Sequence, residues 1–185
     1  MLHLRAMDEI RVREAADEDR EALCCLYRAF HQYHAAGVPD RLVDLGPATG
    51  SCTDTELYST LGELMERVDA ALFVAETGGA VVAFAEAYAR SDEANAYRHA
   101  VSYGLLQSLF VQEAHRRRGI GRALLAAAER WSIAQGAAEL RVDTWEFAGD
   151  PVGFYERWGY HTLRRTMVRE LRPEGRSLDE ARRNP

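Results

Sequence analysis

Val111-Gln112-Glu113-Ala114-His115-Arg116-Arg117-Arg118-Gly119-Ile120-Gly121-Arg122-Ala123-Leu124-Leu125 is the stretch from which the rest of the chain can be read. Ahead of it, Gly104 to Val111 (GLLQSLFV) reads as a largely buried strand. After it, Ile120, Leu124, Ala128 and Trp131 recur at helical spacing, which predicts an amphipathic helix of about four turns. The turn between them carries three arginines in a row and two glycines. Its chemistry is anion capture. Backbone N–H groups at a helix start have no intrahelical acceptor, and the helix dipole adds partial positive charge there. Glycine lets the backbone approach a bulky anion, and arginine can fork onto its oxygens.

Two familiar phosphate loops do not fit. The spacing GxxxxGK[ST] is absent, and a dinucleotide fingerprint GxGxxG would need glycine where Leu124 stands. Arg116-Arg117-Arg118-Gly119-Ile120-Gly121 instead resembles the acyl-CoA loop of the GNAT acetyltransferase superfamily, Gln/Arg-x-x-Gly-x-Gly/Ala. Phe154-Tyr155-Glu156-Arg157-Trp158-Gly159-Tyr160 resembles the closing motif of the same superfamily, Phe/Leu-Tyr-x-x-x-Gly-Phe. The resemblance spans about residues 9 to 171, strongest from Leu105 to Tyr160.

The flanking sequence predicts elements in a compatible order. Ile10 to Arg13 alternates as a short strand, and Leu23, Leu26, Phe30 and Tyr33 mark a helix from Asp17 to about Ala35. Thr53 to Glu56 has capping-box spacing ahead of a second helix carrying Leu57, Leu61, Leu64, Met65 and Val68. Ala71 to Glu76 and Ala80 to Tyr88 flank Thr77-Gly78-Gly79 as a hairpin. A strand from Glu139 to Thr144, a helix starting at Asp150-Pro151 and a final strand or strand pair over His161 to Leu171 follow. The expected fold is therefore α/β (α+β), a mixed, mostly antiparallel sheet of six to seven strands flanked by about four helices, which is also the order of the GNAT fold. One such domain covers residues 1–172, and 173–185 is a polar tail.

Composition sets the outer limits. At 185 residues, 47% apolar and 28% charged, the chain has globular values. A net charge of −6 argues against broad nucleic-acid binding and is compatible with a cationic amine partner. No apolar run reaches the ~20 residues of a membrane span, and Met1 to Asp8 lacks the apolar core of a signal peptide. Cys24, Cys25 and Cys52 form neither a disulfide framework nor a CxxC metal site, so the expected setting is the cytoplasm. His31 and His34, one helical turn apart, lack further ligands, and no metal is expected.

The resemblance implies roles for particular residues. Backbone groups of Leu109, Phe110 and Val111 would pair with the pantetheine arm of acetyl-CoA, and the Val111 N–H would also polarise the thioester carbonyl. Arg116, Arg117, Arg118, Gly119, Ile120, Gly121 and Arg122 would surround the pyrophosphate, though not all four arginines can face it. Phe154 and Tyr155 would border the cofactor, with Tyr155 as the acid that protonates the departing thiolate. Many relatives carry a basic glutamate where this chain has Gln107, and an asparagine where it has Ala148. Glutamine cannot take a proton, which leaves Glu146, Asp143 and Glu86 as candidates, with Glu146 in the catalytic set. Gln107, Tyr33 and His34 are expected to contact the acceptor. The implied function is acetyl transfer from acetyl-CoA to the primary amine of a small molecule or peptide, by direct attack in a ternary complex. A longer acyl donor, or a non-catalytic CoA-sensing domain, are alternatives on the same fold, and a homodimer is compatible with it.

Overall fold

The computed structural model describes residues 9–46, 55–147, 151–169 and 171. It divides into two compact units, Met1–Gly149 and Asp150–Pro185.

The first unit is a five-stranded sheet in sequence order: β1 (Arg11–Glu14), β2 (Ala70–Thr77), β3 (Ala80–Asp92), β4 (Val101–Val111) and β5 (Glu139–Val142). The first three pairings are antiparallel and β4 pairs with β5 in parallel. Between β1 and β2 run a 3-10 turn (Asp17–Asp19), α1 (Arg20–Gly37) and α2 (Thr55–Met65). A second 3-10 turn (Glu113–His115) and α3 (Ile120–Ala134) link β4 to β5, the helical crossover that a parallel pair requires. Gly78 and Gly79, both at positive φ, turn the β2–β3 hairpin.

The predicted periodicities account for both packed faces. Leu23, Leu26, Leu61 and Leu64 from α1 and α2 join Leu72, Val74, Phe84 and Phe110 of the sheet in one buried cluster. On α3, Ile120, Leu124 and Ala128 are buried as their spacing requires. Cys24 is a core residue, whereas Cys25 is exposed.

Gln107 forms a bulge in β4: Ser108 pairs with Glu86 and Leu106 with Ala87, so Gln107 has no opposite number on β3. An extra residue reverses which way the following side chains point. Before the bulge, Gly104 lies against Ser132 of α3, whereas after it Phe110 belongs to the α1–α2 cluster.

The second unit contains α4 (Pro151–Glu156), followed by a tight turn in which Gly159 has φ +87°. The final strand or pair expected over His161–Leu171 does not form among the described residues, where 161–169 join no ladder. The reason is visible in the side chains. The odd-numbered face that holds Leu163, Met167 and Leu171 also holds Arg165 and Arg169, so neither face is apolar. The described sheet therefore has five strands, not six or seven. Val68 also departs from expectation: α2 stops at Met65, and Val68 is exposed in the turn beyond. Thr53, Cys52, Ala148, Asp150 and the tail from 173 to 185 lie outside the described residues.

Candidate active site

The parallel pairing of β4 with β5 runs from Tyr103↔Glu139 to Leu106↔Val142 and stops there, while β4 continues to Val111. Beyond Leu106 the pairing ends, and among the described residues the β5-side edge of β4 is open at its C-terminal end. The direction of its backbone groups follows from one bond. Gln112 N–H donates to Val82 O on β3 at 3.0 Å. Successive residues of a strand present their N–H and C=O to opposite edges, so Val111 and Leu109 face the open edge and Phe110 faces β3. The Phe110 side chain is core as well, 7% exposed. Of the three β4 residues expected to offer backbone groups, Leu109 and Val111 present theirs outward.

The open edge leads directly into the arginine turn. Arg117 has φ +59° and Gly119, the residue that caps α3, has φ +85°. The left-handed conformation costs nothing at glycine but about 1–2 kcal/mol at arginine. The first bond of the helix is donated by Ala123 N–H to Gly119 O at 3.0 Å. Amides of Gly119, Ile120 and Gly121 precede it and have no intrahelical acceptor, in a turn whose basic side chains add to the positive end of the dipole.

The four arginines have different surroundings. Arg116 turns back: its Nε–H donates to Val111 O at 2.9 Å, and its guanidinium lies 4.8 Å from the Tyr33 ring centroid and 5.7 Å from that of Phe110. Arg122 donates to Glu129 at 3.0 Å. Arg117 and Arg118 are exposed beside the helix start. Two of the four thus hold the protein together, and two are placed to meet an anion by charge.

The C-terminal end of α1 stands next to this turn through the Arg116–Tyr33 contact. Phe147, at the end of the described stretch after β5, packs edge-on against Tyr33 at 5.3 Å and His34 at 5.7 Å. Gly37 leaves it room, since a Cβ there would come within 2.6 Å of the Phe147 ring. Tyr33 thereby stands beside Arg116 of the turn, and both Tyr33 and His34 stand beside Phe147. Glu146 and Asp143 are exposed, as is Gln107 at the bulge. His31 Nε2 bonds to Val43 O at 2.7 Å and His34 Nδ1 to Phe30 O at 2.9 Å. Among the described residues no group of three potential ligands could hold a metal ion, and no helix is long and apolar enough to cross a membrane.

Sequence reasoning did not assemble the buried polar cluster on the α1 side of the sheet. The Glu86 carboxylate accepts hydrogen bonds from Tyr27 at 2.8 Å, Ser108 at 3.1 Å and Tyr88 at 2.5 Å. A lone glutamate inside the apolar run Val81-Val82-Ala83-Phe84-Ala85-Glu86-Ala87 was the available signal, but two of its three donors, Tyr27 and Ser108, come from distant parts of the chain.

In the second unit, Tyr155 lies on α4 with its ring 5.1 Å from that of Phe154 and 5.5 Å from that of Tyr160. Its carbonyl accepts the N–H groups of Trp158 at 2.9 Å and Tyr160 at 3.2 Å, which fixes the tyrosine–glycine spacing of the motif as a helix end. Burial pushes the Tyr155 phenol up to about 12, because the phenolate is the form that loses hydration.

Comparison with known proteins agrees with this arrangement. The family model described as an acetyltransferase (GNAT) domain matches residues 68–162, just over half of the chain. An aminoglycoside N(6')-acetyltransferase type 1 of Salmonella enteritidis is 29% identical over 114 residues, covering 62% of this chain and 74% of that protein. Among solved structures, a variant of the BH1408 protein of Bacillus halodurans superposes with a TM-score of 0.77 at 19% identity, covering 87% of this chain and 99% of that one. AAC(6')-Iy, in complex with a bisubstrate analogue joining CoA to an acetylneamine, gives 0.64 at 21%, covering 89% and 99%. That family match runs over the open β4 edge, the glycine-capped arginine turn and the tyrosine motif, and the chain belongs to the GNAT acetyltransferase family.

Proposed function

We propose that this acetyl-CoA-dependent N-acetyltransferase acts on a primary amine of a small polyamino, polyhydroxyl molecule of the aminoglycoside class. One observation carries the transferase chemistry: an exposed strand edge, Leu109 and Val111, runs straight into a helix start with amides and two exposed arginines available. That sequence of groups fits a cosubstrate with an amide-bearing arm and a pyrophosphate. The acceptor class rests on the named relative and on the chain's acidity.

Acetyl-CoA supplies the acetyl group as an activated thioester. Leu109 and Val111 would hold its arm by backbone pairing, and the outward Val111 N–H would favour negative charge on the reacting carbonyl oxygen. Amides of Gly119, Ile120 and Gly121, with Arg117 and Arg118, would hold the pyrophosphate. Tyr155 and Phe154 would border the thiol, with Tyr155 as proton donor, and Arg116 would fix the turn. Tyr33, His34 and Gln107 would meet the acceptor, with exposed Glu146 as a candidate to accept its proton.

The test is thiol release from acetyl-CoA with neamine and with a panel of other primary amines, preceded by calorimetric titration of acetyl-CoA. Micromolar acetyl-CoA affinity and turnover highest on neamine are expected. Turnover confined to peptide amines would overturn the acceptor class.

A further inference from the structure

Glu86 is 7% exposed in the middle of β3. Tyr27 and Ser108 donate to one carboxylate oxygen and Tyr88 to the other. These hydroxyls come from α1, β4 and β3, all neutral. Arg67 and Arg90 lie over the ring of Tyr88, 5.7 and 4.5 Å from its centroid, and both give their N–H groups to Asp69. The ion pairs among the described residues all lie elsewhere.

A buried carboxylate with neutral donors alone is an unbalanced negative charge, and an apolar or amide side chain would fill the same space at lower cost. The surrounding groups reflect that charge: the Tyr27 phenol is held well above its ordinary value, by burial first and by the carboxylate next. A carboxylate offers about four acceptor directions. Three are taken, and one remains on the oxygen that Tyr88 holds.

Position indicates what the charge is kept for. Glu86 pairs with Ser108, the residue after the bulge and immediately before Leu109, where the open edge of β4 begins to present its backbone. Tyr27 lies on the same helix as Tyr33 and His34, and Tyr88, which holds the oxygen with the unused direction, is only partly buried, so the cluster is approachable from the Tyr88 side. A primary ammonium has the matching sign and N–H donors to spare.

We infer that Glu86 is the carboxylate that receives the ammonium of the acceptor, held ready by Tyr27, Tyr88 and Ser108. The inference rests on the transferase reading above. Glu86→Gln removes the charge and keeps the shape. With neamine as probe, kcat/KM falls about 10- to 100-fold, mostly through KM. Acetyl-CoA affinity keeps the parent value, and the melting temperature holds or rises. Glu86→Asp, which keeps the charge, recovers part of the loss. Binding of the same scaffold with a hydroxyl in place of the reacting amine weakens less than binding of the amine. A lowered melting temperature or loss of folding in E86Q would mean the cluster serves the fold, and would overturn the inference. A parent enzyme that turns over neamine no faster than E86Q overturns it alone. A parent that binds acetyl-CoA but acetylates no amine overturns the acceptor reading, and this inference with it.

Discussion

Arg116 donates its Nε–H to the carbonyl of Val111 at 2.9 Å while its guanidinium stacks 4.8 Å from the centre of Tyr33. One side chain thus closes the end of the open β4 edge and ties it to the helix that walls the proposed acceptor site. Arg116→Ala removes a charge-assisted bond and a cation–π contact, together about 1–2 kcal/mol. Both acetyl-CoA Kd and acceptor KM should rise, by roughly 10-fold. Arg118→Ala should weaken acetyl-CoA alone, and less so as salt is added, because an exposed charge is screened. Titration at two ionic strengths separates the two cases. An Arg116→Ala variant with unchanged acceptor KM would show that the Tyr33 contact is incidental.

Two glycines of the same region do different jobs. At Gly104 an added Cβ would stand 2.7 Å from Ser132 Cβ and 2.8 Å from Leu140 Cδ1, so alanine forces β4, α3 and β5 apart. The expected cost is about 1–3 kcal/mol. At Gly119 nothing lies within 4 Å of such a Cβ, and only the left-handed φ of +85° is penalised, by about 1–2 kcal/mol. Gly104→Ala should lower the urea midpoint without touching acetyl-CoA affinity beyond the stability loss. Gly119→Ala should cost acetyl-CoA affinity even where the protein is fully folded.

These two positions also show how far the sequence could be read. Gly119 stood inside a motif whose spacing and flanking periodicity announced a helix start, because the determinants of a strand–turn–helix unit are local. The same holds for α1, α3 and the β2–β3 hairpin. Gly104 gave no signal, since its role depends on Ser132 and Leu140 closing in from other elements. Nor could sequence show that the Gln107 bulge turns Ser108 toward Glu86, or that Arg116 faces Tyr33. Alternation continued through Gly104, Leu106, Ser108 and Phe110 while the buried face changed. His161–Leu171 misled in the opposite sense, because Leu163, Met167 and Leu171 at even spacing suggest a strand but hydrogen-bonded partners make one.

Tyr155→Phe isolates the proposed acid. Turnover should fall about 100-fold or more, with acetyl-CoA affinity retained. Since burial raises the phenol from 10.0 to about 12, it keeps its proton across the neutral range. The sign for stability follows. A folded-state value above the unfolded one stabilises fully below pH 10, and that contribution is lost as pH rises through about 12. Tyr155→Phe should therefore flatten the alkaline melting curve in that window. A variant with parental turnover on its best amine would remove Tyr155 from the mechanism.

The acid end is governed by Asp19. Its carboxylate, 4% exposed, takes two bonds from Arg13, at 2.6 and 2.9 Å, and one from Ala16 N–H at 2.8 Å. Arg13 also pairs with Glu76, so one guanidinium joins the start of α1 to β1 and β2. Those bonds hold Asp19 below its ordinary value, the Arg13 bonds first, against an opposing effect of burial. A depressed folded value stabilises fully above the unfolded one, about 3.9, and is lost as pH falls through the folded value. Asp19→Asn should thus cost about 2 kcal/mol near neutrality and remove much of the acid-side slope below about pH 4. Melting temperatures of parent and variant should converge as pH drops. Parallel curves down to the lowest pH would mean that this bridge contributes geometry but no charge-dependent stability.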